Sequence, residues 1–147
     1  MKRNKYPNAK RLTITTDIKI RFGEVDSMGI VWHGNYVKYI EEGRESFGKK
    51  YGISYLDIYD HGVMAPVVNM NIDYKKQVKY GDVLVIETEF VDSAAAKIIF
   101  KFRIYRKSDE ELVVTAETTQ VFIDMKKEMI LYPPQFVLDW KNKVGLL

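Results

Sequence analysis

Polar and apolar residues alternate from Thr15 to Phe22. Ile18, Ile20 and Phe22 fall on one side, and Asp17, Lys19 and Arg21 on the other. A period of two predicts a half-buried strand, ending at Gly23. From Tyr36 the period changes. Tyr36, Tyr39, Ile40, Gly43 and Phe47 recur at helical spacing and form one apolar stripe. Lys38, Glu41, Glu42, Glu45 and Lys49 take the outer side, with Glu45 and Lys49 spaced for an ion pair one turn apart. Lys49, Lys50 and Gly52 supply a cationic last turn and a glycine C-cap. Gly43 sits inside the stripe, where it costs ~1 kcal/mol relative to Ala. Its presence there predicts close approach of the helix to a sheet.

Residues 53–62 read as a short helical connection stopped by Gly62. Strands follow. Val68, Met70, Ile72 and Tyr74 alternate with Asn69, Asn71, Asp73 and Lys75 after Pro66. Gly81-Asp82 marks a turn, and Leu84, Ile86 and Phe90 share one face of the next strand. Asp92 to Ala96 is a turn, after which Ile98, Phe100, Phe102 and Ile104 alternate again. Ser108 to Glu111 is a hairpin loop, and Leu112 to Met125 a long final strand. Pro133-Pro134 breaks the chain before a short helix over 136–144. The order is strand, helix, four strands, helix. It predicts an α+β domain with one central helix on an antiparallel sheet. Edge strands and an uncovered face predict pairing with a second copy.

The 147 residues fit a single domain, with 1–11 as a flexible arm and 136–147 as a C-terminal helix and tail. A hydrophobic share of 46% and a charged share of 29% exclude compositional disorder. The net charge of +3 is small and its cations are scattered. Only Lys2 to Lys5 with Lys10-Arg11, and Lys75-Lys76 with Lys79, form clusters, so no nucleic-acid partner is expected. The absence of Cys removes disulfides, thiolate metal sites and cysteine nucleophiles. With His33 and His61 as the chain's two histidines, no metal site and no cofactor are expected. No secretory signal or membrane span is apparent, and the expected location is cytoplasmic.

The chemistry concentrates in Asp26-Ser27-Met28-Gly29-Ile30-Val31-Trp32-His33-Gly34-Asn35-Tyr36, just before the helix. Asp26 with Gly29 three residues on is an ordinary turn signature. A carboxylate facing a helix start is equally a base or nucleophile beside unpaired N–H donors. His33 is a capping residue or a catalyst, and its backbone N–H can serve a developing oxyanion. Asn35 is favoured as the helix cap. Tyr36 belongs to the buried stripe, while Trp32 and Val31 line a pocket or pack.

The segment Arg21 to Tyr36 resembles the signature of hotdog-fold acyl-CoA thioesterases of the 4-hydroxybenzoyl-CoA thioesterase-like group. Pro66-Val67-Val68, Tyr80-Gly81-Asp82 and Val121-Phe122-Ile123-Asp124 are similar to further landmarks of that family. The likeness spans about 14–135. It implies a hotdog fold, a long helix wrapped by an antiparallel sheet, assembled as a homodimer or homotetramer with active sites at the interface. It implies hydrolysis of an acyl-CoA to free acid and CoA, with Asp26 and His33 as the catalytic residues. Gly29, Val31, Trp32, Asn35, Tyr36 and Lys97 would bind substrate. The turn from Asp92 to Lys97 departs from the hydroxybenzoyl branch, because Lys97 is its one basic residue. CoA phosphates would then need Lys97, the Lys75 cluster or a neighbouring subunit, or an acyl carrier protein would be the donor. An enoyl-thioester hydratase and a non-catalytic acyl-CoA-binding protein are the rival expectations.

Overall fold

A computed structural model describes residues 12–147, so the arm expected over 1–11 lies outside the described residues. The chain runs β1 (Leu12–Lys19), a single 3-10 turn (Phe22–Glu24), α1 (Asn35–Tyr51), α2 (Tyr55–Asp60), β2 (Val63–Met64) and β3 (Val67–Tyr74). It continues through β4 (Val83–Val91), β5 (Lys97–Arg106), β6 (Leu112–Asp124), β7 (Met129–Ile130) and α3 (Gln135–Lys143). The strands form one antiparallel sheet ordered β1-β4-β5-β6, with β3, β2 and β7 all pairing with β6.

The alternation in β4, β5 and β6 sets the core. Leu84, Ile86 and Phe90 point to the same side as Phe100, Phe102 and Ile104, and all are buried. α1 lies against β1, β4 and β5 on that side. Its stripe is buried as expected, and Phe47 contacts Phe90 and Phe100 ring to ring. Lys49 reaches Glu45 at 3.3 Å on the outer side, and Gly52 ends the helix at φ 74°. A left-handed residue there is why glycine closes this helix.

Gly43 is where helix and sheet meet most closely. A Cβ on it would stand 2.5 Å from Thr88 Oγ1 and 3.0 Å from Ile86 Cγ2. Gly43→Ala should therefore destabilise, because overpacking of ~1–3 kcal/mol outweighs the ~1 kcal/mol gain in helix propensity. In a Thr88→Ala background the blocking oxygen is gone and most of that loss should disappear. A urea-unfolding double-mutant cycle reads the coupling.

α2 starts with a capping box. Ser54 Oγ accepts from the Asp57 N–H at 3.2 Å, and Asp57 Oδ2 accepts from the Ser54 N–H at 2.8 Å. α3 clamps the far end of the sheet. Trp140 packs on Phe90, its indole N–H donates to Tyr51 O at 2.7 Å, and buried Lys141 pairs with Asp92 at 2.7 Å.

Two expectations fail here. The inward alternation extended from Ile18 through Ile20 does not reach Phe22, which is 78% exposed. The chain leaves the sheet after Ile20 because the Glu24 carboxylate accepts the Arg21 N–H at 2.8 Å and closes a tight turn. In β3 the alternation is interrupted by a register shift between Val67 and Asn69, so Val68 is 57% exposed. A bulge moves a side chain to the opposite face.

Candidate functional site

Residues 20–34 link β1 to α1 as an irregular hairpin, and its backbone is closely tied. Val25 bridges Val31, Ile30 bridges Lys79, and the Asp26 N–H donates to Ile30 O at 2.8 Å. The Gly29 N–H donates to Asp26 O at 3.0 Å, with Gly29 at φ 75°. Asp26 Oδ1 accepts from the N–H groups of Met28 at 2.8 Å and Ile30 at 3.2 Å. One carboxylate oxygen therefore holds the turn. The other, Oδ2, has no partner among the described residues, and the side chain is exposed.

Glu24 joins this turn to the helix. Its backbone carbonyl accepts both the Trp32 N–H at 3.1 Å and Asn35 Nδ2 at 2.7 Å. Its buried carboxylate takes the Arg21 N–H and stands 3.4 Å from Lys38 Nζ. Asn35 is thus not the helix cap. Gly34 occupies that position without a side-chain cap, and Asn35, one residue later, turns its amide back to the hairpin. A Cβ on Gly34 would meet the Trp32 ring, so any larger residue there would require the exposed Trp32 side chain to turn away.

The start of α1 keeps two donors open. The Asn35 N–H meets Trp32 O at 3.0 Å and the Tyr36 N–H meets His33 O at 3.3 Å. The N–H groups of His33 and Gly34 meet no acceptor among the described residues. Unpaired N–H groups at a helix start favour a developing negative charge. The His33 ring tilts against Trp32 at 5.2 Å and meets Tyr74 edge-on at 6.3 Å. The Tyr74 hydroxyl donates to His33 O at 3.3 Å, leaving the His33 N–H unused. Beneath it Tyr36 is buried, with edge-on contacts to Tyr39 and Tyr74. Burial, with Tyr74 next in weight, pushes the Tyr36 phenol up to about 12, so it stays neutral.

Asp26, Gly29, Val31, Trp32, His33, Asn35 and Tyr36 thus share one hairpin and the first turn of α1. Val31 and Tyr36 are buried and support it, while Trp32 and His33 are exposed. Lys97 is not brought into this group: it opens β5 opposite Val121 and is exposed. Glu24 and Tyr74 are left out of the site expected from the sequence, and Tyr80, named there only as a family landmark, donates its N–H to Gly29 O at 2.9 Å. Glu24 carried a signal, being a carboxylate two residues before Asp26. Tyr74 carried none, since its contact with His33 spans 41 residues.

A long helix laid across an antiparallel sheet, with an acid-bearing turn feeding the helix start, defines a hotdog-fold protein. A model of the thioesterase-like superfamily matches residues 20–141, and the chain belongs to that superfamily. It is 37% identical over 108 residues to the putative acyl-CoA thioesterase YneP of Bacillus subtilis, covering 74% of this chain and 78% of the relative. It is 28% identical over 116 residues to the 4-hydroxybenzoyl-CoA thioesterase of a Pseudomonas strain, covering 75% of this chain and 82% of that one. Among solved structures, the DHNA-CoA thioesterase of Staphylococcus aureus superposes with a TM-score of 0.78 at 28% identity, covering 90% and 91% of the two chains.

Proposed function

We infer that this protein is an acyl-CoA thioesterase, releasing free acid and CoA, with Asp26 as its reacting carboxylate. One observation carries the site: an exposed carboxylate with an uncommitted oxygen stands on the hairpin that leads into two open N–H donors at the start of α1. The thioester oxygen would lie on the His33 or Gly34 N–H. Asp26 would attack the carbonyl carbon, or take a proton from the water that does. In the first path the adduct collapses to an acyl anhydride on Asp26 as the C–S bond breaks and its electron pair leaves on sulfur. Water then hydrolyses the anhydride to the free acid and restores the carboxylate. In the second, the water adduct collapses directly to the free acid with the same loss of thiolate. A thiol with a reference pKa of about 8.5 leaves readily as thiolate. No metal or organic cofactor enters this scheme.

The site is proposed to work in a homodimer or a larger even assembly. β3 pairs with β6 along one edge, and the backbone groups of its other edge pair with no strand among the described residues. A second copy would satisfy that edge and cover the exposed Met28 and Trp32. A cytoplasmic location belongs to the same reading, supported by a chain without Cys. Among the described residues, no helix is long and apolar enough to cross a membrane.

A panel of acyl-CoA esters, followed by a chromogenic thiol reagent, tests the activity. Release of CoA from at least one ester is expected; binding or hydration of the panel without thiol release overturns the reading. His33→Ala should reduce the rate less than loss of the Asp26 charge, because the backbone donor survives. A loss as large as that of the Asp26 variant would assign the work to the imidazole instead.

A further inference from the structure

We propose that the groove beside the Asp26 hairpin holds the nucleotide end of CoA, the base stacking against the Phe22–Tyr80 pair and the phosphates meeting Lys19 and Arg21. The proposal rests on the acyl-CoA thioesterase reading and names the substrate's handle. The groove encloses about 460 Å³ and is lined by Lys19, Arg21, Phe22, Lys38 and Tyr80, with Tyr39 at its base.

Phe22 and Tyr80 are exposed to 78% and 56%, yet they meet edge to face with ring centroids 5.8 Å apart at 88°. Two rings at a right angle make a notch in which a flat base can stack on one face and touch the other edge. Both residues are tied to the candidate site through their backbones. Phe22 O accepts from the Val25 N–H at 3.4 Å, and the Tyr80 N–H donates to Gly29 O.

The charges around the notch are unequal in what they have free. Asp17 is paired with Lys107 at 2.6 Å, and Glu24 is committed to Lys38 and the Arg21 N–H. The head groups of Lys19 and Arg21, which line the groove, form no ion pair among the described residues, leaving Glu42 as the groove's uncommitted acid. Two free cations beside two bare rings match a phosphorylated nucleoside. Phe22 lies four residues before Asp26, at most ~14 Å along an extended chain. A pantetheine arm spans a comparable length, so the thioester can reach the hairpin while the base stays in the notch. An acyl carrier protein presents the same arm without a base and would leave the notch unused.

The test compares kcat/KM for one acyl group carried on CoA and on N-acetylcysteamine, which lacks the nucleotide. The ratio should fall about tenfold in the double variant Phe22→Ala/Tyr80→Ala. It should also fall in Lys19→Gln/Arg21→Gln, with a weaker salt dependence. A fluorescence titration with adenosine 3′,5′-bisphosphate should show binding to the wild type that both variants weaken. All four side chains are exposed, and thermal melts check that folding is intact. An unchanged ratio, or no wild-type binding of the bisphosphate, overturns the proposal. If neither thioester is cleaved, the hydrolase reading fails, and the titration still decides the nucleotide site.

Discussion

Asp26→Asn should lower kcat on the best acyl-CoA substrate by at least ~10²-fold while leaving fold and assembly intact. Asn retains an oxygen that can accept the Met28 and Ile30 N–H groups, now held by Oδ1 at 2.8 and 3.2 Å. The Asp26 to Gly29 turn therefore survives. What is lost is the negative charge and the basic oxygen, the attributes that both nucleophilic and general-base routes require. Initial rates of thiol release, set beside circular dichroism and size-exclusion profiles, separate the two effects. A variant that cleaves its best substrate at the wild-type rate would remove Asp26 from the chemistry and leave it a turn residue. A burst of bound acyl group in rapid-quench experiments on the wild type would favour attack by the carboxylate over activation of water.

The regular elements were legible because burial and periodicity agree in them. α1 shows its stripe from Tyr36 to Phe47 and its glycine C-cap, and β5 alternates from Ile98 to Ile104 without interruption. The hairpin from residue 20 to residue 34 was legible in composition but not in shape. Its geometry depends on Glu24, whose carbonyl collects Trp32 and Asn35 and whose carboxylate is buried. Alternation alone turns Phe22 inward, and cap preference alone makes Asn35 the helix cap. Both expectations gave way to a tertiary hydrogen-bond network. The short strands β2 and β7 were also missed. Each has two residues and exists because β6 is long enough to be paired along its end. Polar residues on the core side escape pattern reading for a related reason. Thr88, Thr118 and Gln120 are buried there, and Gln120 Nε2 is fixed by Ala65 O at 2.7 Å, a contact 55 residues away in sequence.

The site also depends on how firmly α1 is seated, and Phe47 is the residue to probe. It is fully buried, with rings of Tyr51, Phe90 and Phe100 at centroid distances of 4.6, 6.0 and 5.1 Å. Phe47→Ala should cost ~3–5 kcal/mol, because the transfer free energy and the cavity add. That is a large part of the ~5–15 kcal/mol that holds such a domain together. A drop of roughly 10–20 °C in melting temperature should accompany it. Phe47→Leu keeps most of the apolar volume and should lose much less than Phe47→Ala. Thirteen residues of helix, or ~20 Å, separate Phe47 from Gly34. Phe47→Leu, assayed well below its melting point, should therefore keep a near wild-type kcat. A fall in kcat without a fall in stability would show that the C-terminal half of α1 shapes the reaction directly, and that the open donors at Gly34 are only part of the machinery.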